Sequence, residues 1–339
     1  MTSSHSILWL AIVLGWTGTA AAANDVDAAL PESVAARVGE QPISHAQLAA
    51  ALRRNGVAAL PAGPQRLQGE AEAIEQLIDE ALLGKVIERE QITIDPAEVD
   101  AAVARLRDQV SARGMDFAAF LAKQARDEQG LRDQIVLELG IQKFVRPRLT
   151  PDALAASFEK GRRELDGTQL RVSHILLRPD LGRGDRAAEE CIERAAAIRR
   201  EILQGGLSFE DAARKHSAAP SRHRGGELGF LPRRSVANEE FARQAFALAK
   251  GDISKPFATT FGVHVVKVTG MEPGKLTAEG LRPQLEQMVG NDIVRDTVAQ
   301  ARRASRIEYA AGVSHFDPAT PADGREPRRI IVAGAAPSP

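Results

Sequence analysis

Two short apolar stretches frame the part of this sequence that decides its fold: Arg171–Leu177, RVSHILL, and Phe261–Val268, FGVHVVKV. Each holds one histidine, His174 and His264. In an extended chain alternate side chains share a face. Val172, His174 and Leu176 therefore lie on one side of the first stretch, and Ser173, Ile175 and Leu177 on the other. Apolar residues on both sides predict a central strand. His264, Val266 and Val268 share a face in the same way. Between the two strands the sequence predicts a long helix that stops at Gly205–Gly206. A second helix, FEDAARKHS, is capped by Ser208 with Asp211. GGELGF (225–230) turns on its glycines into a strand, and Asn238 caps EEFARQAFAL, which Gly251 ends. Six of the 11 phenylalanines fall between Phe209 and Phe261, which concentrates aromatic bulk in one compact core or pocket.

The segments RVSHILL, GLSFEDAARKHS, GGELGF, NEEFARQAFAL and FGVHVVKV, in this order, resemble a parvulin-type peptidyl-prolyl isomerase domain over residues 169–270. The resemblance implies a small antiparallel sheet surrounded by helices. It also implies that His174 and His264 are paired beneath the site on adjacent strands, with Thr259 supplying a hydroxyl linked to them. Leu228, Leu231, Val236 and Phe241 would receive the proline ring. The residue types alone suit Leu228 and Phe241 equally to a plain core. The family usually places an acid or a cysteine two residues past the serine of KHS; here that position is Ala219. This departure implies weakened catalysis, or a domain that binds peptides without turning them over. Arg178, Arg183 and Arg186 are interleaved with Asp180 and Asp185, the pattern of a solvated loop rather than a phosphate reader.

Outward from this region the chain is helical. Residues 34–43 read as two extended pieces around Gly39, and Ser44 with Gln47 forms a capping box for a helix over HAQLAAALRR. Prolines and glycines in 57–69 predict a loop. Ile74, Leu77, Ile78, Ala81 and Leu82 follow helical spacing, and Asp95–Pro96 with Glu98 signals another helix start. Thr150–Pro151 opens a helix towards Leu165. VAARVGEQPIS, EQLIDEALLGKVIE and LRDQIVLELGI resemble the N-terminal helical domain of SurA- and PrsA-type exported chaperones, here over 33–165. Residues 275–310 predict a helix opened by Thr277, with Leu281, Leu285 and Met288 inward; the resemblance implies that it packs back on the N-terminal domain. From 313 to 339 the Pro-, Gly- and Ala-rich sequence predicts a disordered tail.

Residues 1–23 end in the small residues Ala21–Ala23 after the apolar run ILWLAIVLGW and read as a signal peptide. That reading places the protein in the periplasm or another extracytoplasmic space, with membrane contact only if the signal stays uncleaved. The 339 residues carry 44 Lys+Arg against 45 Asp+Glu, which argues against nucleic acid as a partner. A single cysteine, Cys191, rules out an intrachain disulfide and every two-cysteine metal or redox site. His216 and His223 lack metal-ligand spacing, and His45 and His315 are expected at the surface. The expectation is an α+β protein: a helical chaperone-like domain joined to a parvulin domain. No cofactor is called for, and the partners would be unfolded or proline-containing polypeptides. The alternative is a non-catalytic holdase on a parvulin scaffold.

Overall fold

The computed structural model describes residues 30–124, 126–179 and 186–316, with the backbone of 327–329. The signal-peptide reading of 1–23 lies outside these residues. Two compact units divide the chain: one takes the chain up to Thr150 and again from Glu286, the other is Pro151–Leu285.

In the first unit, β1 (Val34–Val38) pairs antiparallel with β2 (Gln41–Ser44) through the turn at Gly39. The capping box of Ser44 and Gln47 starts α1 (His45–Arg54). The helix α2 (Pro64–Arg89) follows. Its start overturns the loop expected over 57–69: Pro64 takes the first helical position, where a missing N–H costs nothing. Ile74, Ile78 and Leu82 of α2 bury against Ala36 and Val38 of β1. Next come α3 (Pro96–Ala112), α4 (Phe117–Lys123) and α5 (Glu128–Val145).

The helix α10 (Arg282–Ala304) ends in this first unit, with Val294 and Val298 packed against Leu83 and Ile141. It starts five residues later than the sequence suggests, with Pro283 in its first turn. Met288, expected inward, is 40% exposed. The strand β7 (Ile307–Tyr309) then completes the sheet order β2-β1-β7. The disordered tail expected from Val313 also needs correction. Val313 is buried, and β8 (Ser314–Phe316) pairs with β9 (Pro327–Arg329). His315 is likewise buried rather than exposed, because its ring stacks on Tyr309 with centroids 4.0 Å apart.

The second unit begins with α6 (Pro151–Leu165), so the boundary falls at Thr150 rather than at 165. Arg163 ties this helix to the unit by donating to the Phe246 and Leu248 carbonyls. Four strands form an antiparallel sheet: β3 (Gln169–Leu177), β4 (Glu227–Pro232), β5 (Phe257–Thr259) and β6 (Gly262–Glu272), in the order β4-β3-β6-β5. On one face Ile175, Leu177, Val263 and Val265 bury Cys191 and Ile198 of α7 (Ala187–Leu203) and Phe209 of α8 (Phe209–His216). Burial of each such large side chain is worth roughly 1.5–3 kcal/mol. On the other face Leu170, Val172, Val266 and Val268 pack on Phe241 and Phe246 of α9 (Glu239–Phe246). The fold is therefore α+β: helices with small antiparallel sheets.

Candidate functional site

The two histidine strands are neighbours at the centre of the second unit's sheet. Their register sets His174 opposite Val266 and Leu176 opposite His264. The histidines thus stand diagonally across the ladder on one face, near enough for long side chains to meet. Their rings lie 5.7 Å apart, inclined by 24°. Glycines let the chain close around them. Gly226, at φ +84°, receives the His174 N–H at 2.9 Å, and a Cβ there would fall 2.4 Å from the His174 carbonyl oxygen. Gly262, at φ +134°, makes a similar approach to the Leu177 carbonyl.

Phe241 stands edge-on to both imidazoles, 5.8 Å from His174 and 5.4 Å from His264. Asn238 fixes its position by capping α9 on the Phe241 N–H at 2.9 Å. Phe257 of β5 stacks on His264 at 5.5 Å. Thr259, the last residue of β5, holds its Oγ1 2.8 Å from His264 Nε2. That oxygen also accepts the Phe261 N–H at 3.1 Å, which leaves the hydroxyl proton free to donate to His264. Burial pushes the pKa of both histidines down, and His174 beside it helps to hold His264 at about 4. Both rings are therefore neutral at neutral pH.

Above the histidines opens a cavity of about 520 Å³. His174, His264, Leu228, Leu231, Val236 and Phe241, all singled out from the sequence, line it together. Thr259 does not line it and reaches it through His264. Ala219 is part of the wall and only 3% exposed, so the position lacking a polar side chain faces the cavity.

Further lining residues were not singled out for this role. Phe261, 63% exposed, sits at the rim with Arg178 and Arg224. Ser221, 6% exposed, places its Oγ 3.0 Å from His174 Nε2. The only sequence signal for Ser221 was its place between KHS and GGELGF, the two segments that fold next to β3.

The model of the PPIC-type PPIase domain family matches residues 174–270, and that of the SurA-like N-terminal domain matches residues 4–145. The chain is a SurA/PrsA-like protein with a parvulin-type isomerase domain. Every residue lining the cavity falls inside the matched isomerase segment. The SurA/PrsA-like chain is 29% identical over 304 residues to the putative peptidyl-prolyl cis-trans isomerase SurA of Haemophilus influenzae, covering 82% of this chain and 90% of that protein. It is 26% identical to the foldase protein PrsA of Bacillus subtilis, over 73% of this chain and 75% of the relative. With the chaperone SurA of Idiomarina loihiensis it shares 33% identity over 132 residues, 39% of this chain and 30% of that protein. Among the described residues of this SurA/PrsA-like chain, no helix is long and apolar enough to cross a membrane.

Proposed function

We propose that this protein is a peptidyl-prolyl cis-trans isomerase and folding chaperone that acts on unfolded, proline-containing polypeptides in the periplasm or another extracytoplasmic space. One observation carries the reading: an apolar cavity floored by two neutral, stacked histidines and walled by Phe241. Such a cavity matches the chemistry of the reaction. Rotation about an X–Pro amide faces a barrier of about 18–20 kcal/mol because the planar forms are conjugated. Uncatalysed, it takes tens to hundreds of seconds. The reaction forms no covalent bond, so a catalyst has only to bind the twisted amide better than either planar form.

Leu228, Leu231, Val236 and Phe241 hold the proline ring and strip water from the amide, which weakens the planar, charge-separated resonance form. His174 and His264 stay neutral, so substrate enters without meeting buried positive charge. Thr259 fixes the orientation of His264 and thereby the floor of the cavity. The helical unit, similar to the SurA N-terminal domain, holds unfolded segments while the isomerase unit works on their prolines. The sequence of residues 1–23 and the similarity to SurA and PrsA support export.

Ala219 offers no polar atom to the amide, and turnover is accordingly slow. A coupled assay on a panel of X–Pro peptides tests the reading, with wild type run beside Ala219→Asp and Phe241→Ala. Expected are measurable wild-type turnover, a faster Ala219→Asp and a much slower Phe241→Ala. Absence of wild-type turnover on every peptide would overturn the isomerase reading.

A further inference from the structure

We propose that Ser221 is the hydrogen-bond donor that meets the twisted prolyl amide in this chain, taking over from the polar side chain that Ala219 does not supply. The inference rests on the isomerase reading above and names one more residue of its machinery.

Ser221 lies in the 3₁₀ turn Pro220–Arg224. This turn is fixed to β3 from both sides. Upstream, the Ala218 N–H donates to the Leu176 carbonyl at 2.7 Å, and Ser217 Oγ accepts the N–H groups of Leu176 and Ala219. Downstream, the Gly226 N–H donates to the Ser221 carbonyl at 2.9 Å, and the His174 N–H donates to the Gly226 carbonyl. The Ser221 backbone is therefore held by contacts on either side, and its hydroxyl is oriented by the bond to His174.

Its chemistry follows from what surrounds it. The other polar side chains at the cavity are committed or peripheral. Asn238 caps α9 through Oδ1 and keeps its Nδ2 amide as a donor, but it is only half-buried where Ser221 is buried. Arg178 and Arg224 stand exposed at the rim. His264 is engaged by Thr259 behind the cavity wall. That leaves His174 and Ser221, joined at 3.0 Å, as the polar pair that faces the substrate from within. A neutral His174 with its proton on Nε2 donates to Ser221 Oγ, and the serine proton is then free to point into the cavity.

Rotation of an X–Pro amide out of plane localises the lone pair on the prolyl nitrogen, which turns it from a non-acceptor into an acceptor. A donor placed there binds the twisted form and neither planar form, the condition for a faster kcat rather than a lower KM. No proton changes owner: His174 and Ser221 keep theirs throughout, and only the hydrogen bond to nitrogen forms and breaks.

The test uses the full chain and compares wild type, Ser221→Ala and Ser221→Thr on one X–Pro peptide, with thermal unfolding of each. One neutral hydrogen bond corresponds to about tenfold in rate. Expected is a loss of about tenfold in kcat for Ser221→Ala, with KM and melting temperature nearly unchanged, and most of the rate restored in Ser221→Thr. Wild-type kcat in Ser221→Ala would overturn the inference while leaving the isomerase reading intact. An equal loss in Ser221→Ala and Ser221→Thr, or a loss that appears in KM alone, would also overturn it. A wild type without turnover would overturn the isomerase reading and this inference with it.

Discussion

Protonating His264 should cost this protein its stability well before ordinary acid denaturation. The residue is 4% exposed, boxed between Phe241, Phe257 and His174, and its pKa is held at about 4 by burial and by the neighbouring imidazole. In the unfolded chain a histidine titrates near 6.5. Because the folded value lies below the unfolded one, the unfolded state takes up the proton first, and stability falls as pH drops through the window from 6.5 to 4. The full difference is worth about 3 kcal/mol, of which about 2 kcal/mol is already lost at about pH 5.

The perturbation is acid itself, read against a variant that cannot titrate, His264→Gln. Unfolding free energies of both chains, measured from about pH 7 to about pH 5, should diverge, with wild type losing about 2 kcal/mol more than the variant. Subtraction removes the carboxylates, which both chains share, and leaves the titration of His264 together with its coupling to His174. An NMR titration of the His264 ring checks the premise directly and should find no charge change near 6.5. Parallel pH profiles for the two chains, or a ring titrating near 6.5, would refute the reasoning.

Other perturbations have equally definite outcomes. Arg302 of α10 bonds Asp79 at 2.6 Å and Glu75 at 2.7 Å, both buried acids of α2; Arg302→Met should cost about 3–5 kcal/mol in denaturant unfolding. Burial, only partly offset by Arg302, already raises Asp79 to about 6, so this deficit should be largest in alkali and shrink as pH falls towards 6. Gly226→Val forces a Cβ against the His174 carbonyl at a positive φ, and should lower both the melting temperature and isomerase activity. Phe241→Ala removes a buried ring that touches both histidines and should cost about 3–5 kcal/mol, together with peptide affinity measured by calorimetry. At the rim, Arg178 and Arg224 should favour an acidic residue before proline over a basic one by a few-fold in kcat/KM across X–Pro peptides, a preference that should fade in high salt as charges are screened.

Much of the isomerase unit was legible because its signals are local. Ser208 and Asn238 cap their helices, glycines stand where the backbone needs positive φ, and alternation along RVSHILL assigns His174 a face. Long-range packing left no such mark. The strand β5 has three residues, too few to show a period, yet it brings Phe257 and Thr259 to His264. The turn holding Ser221, PSRHR, has the composition of an exposed loop and is fixed only by its bonds to β3. Pro64 looked like a breaker and proved to be a helix start. His315 looked solvated until Tyr309, from another strand, covered its ring. In α7 the buried face runs through Ala187, Cys191, Ala195 and Ile198, while Ile192, although apolar, is exposed.

The sheet order β2-β1-β7 also dictates a timetable. Residues 151–285 are contiguous, so the unit bearing the histidines has all its strands as soon as that stretch is free to fold. The other unit waits. Its strand β1 pairs Val38 with Ile307 and Ala36 with Tyr309, partners made long after it. Until they arrive, one edge of β1 is open and the acids on α2 lack Arg302. Contacts this distant in sequence close slowly, because loop entropy has to be overcome before they stabilise anything. The inner unit is thus complete before the outer one can close.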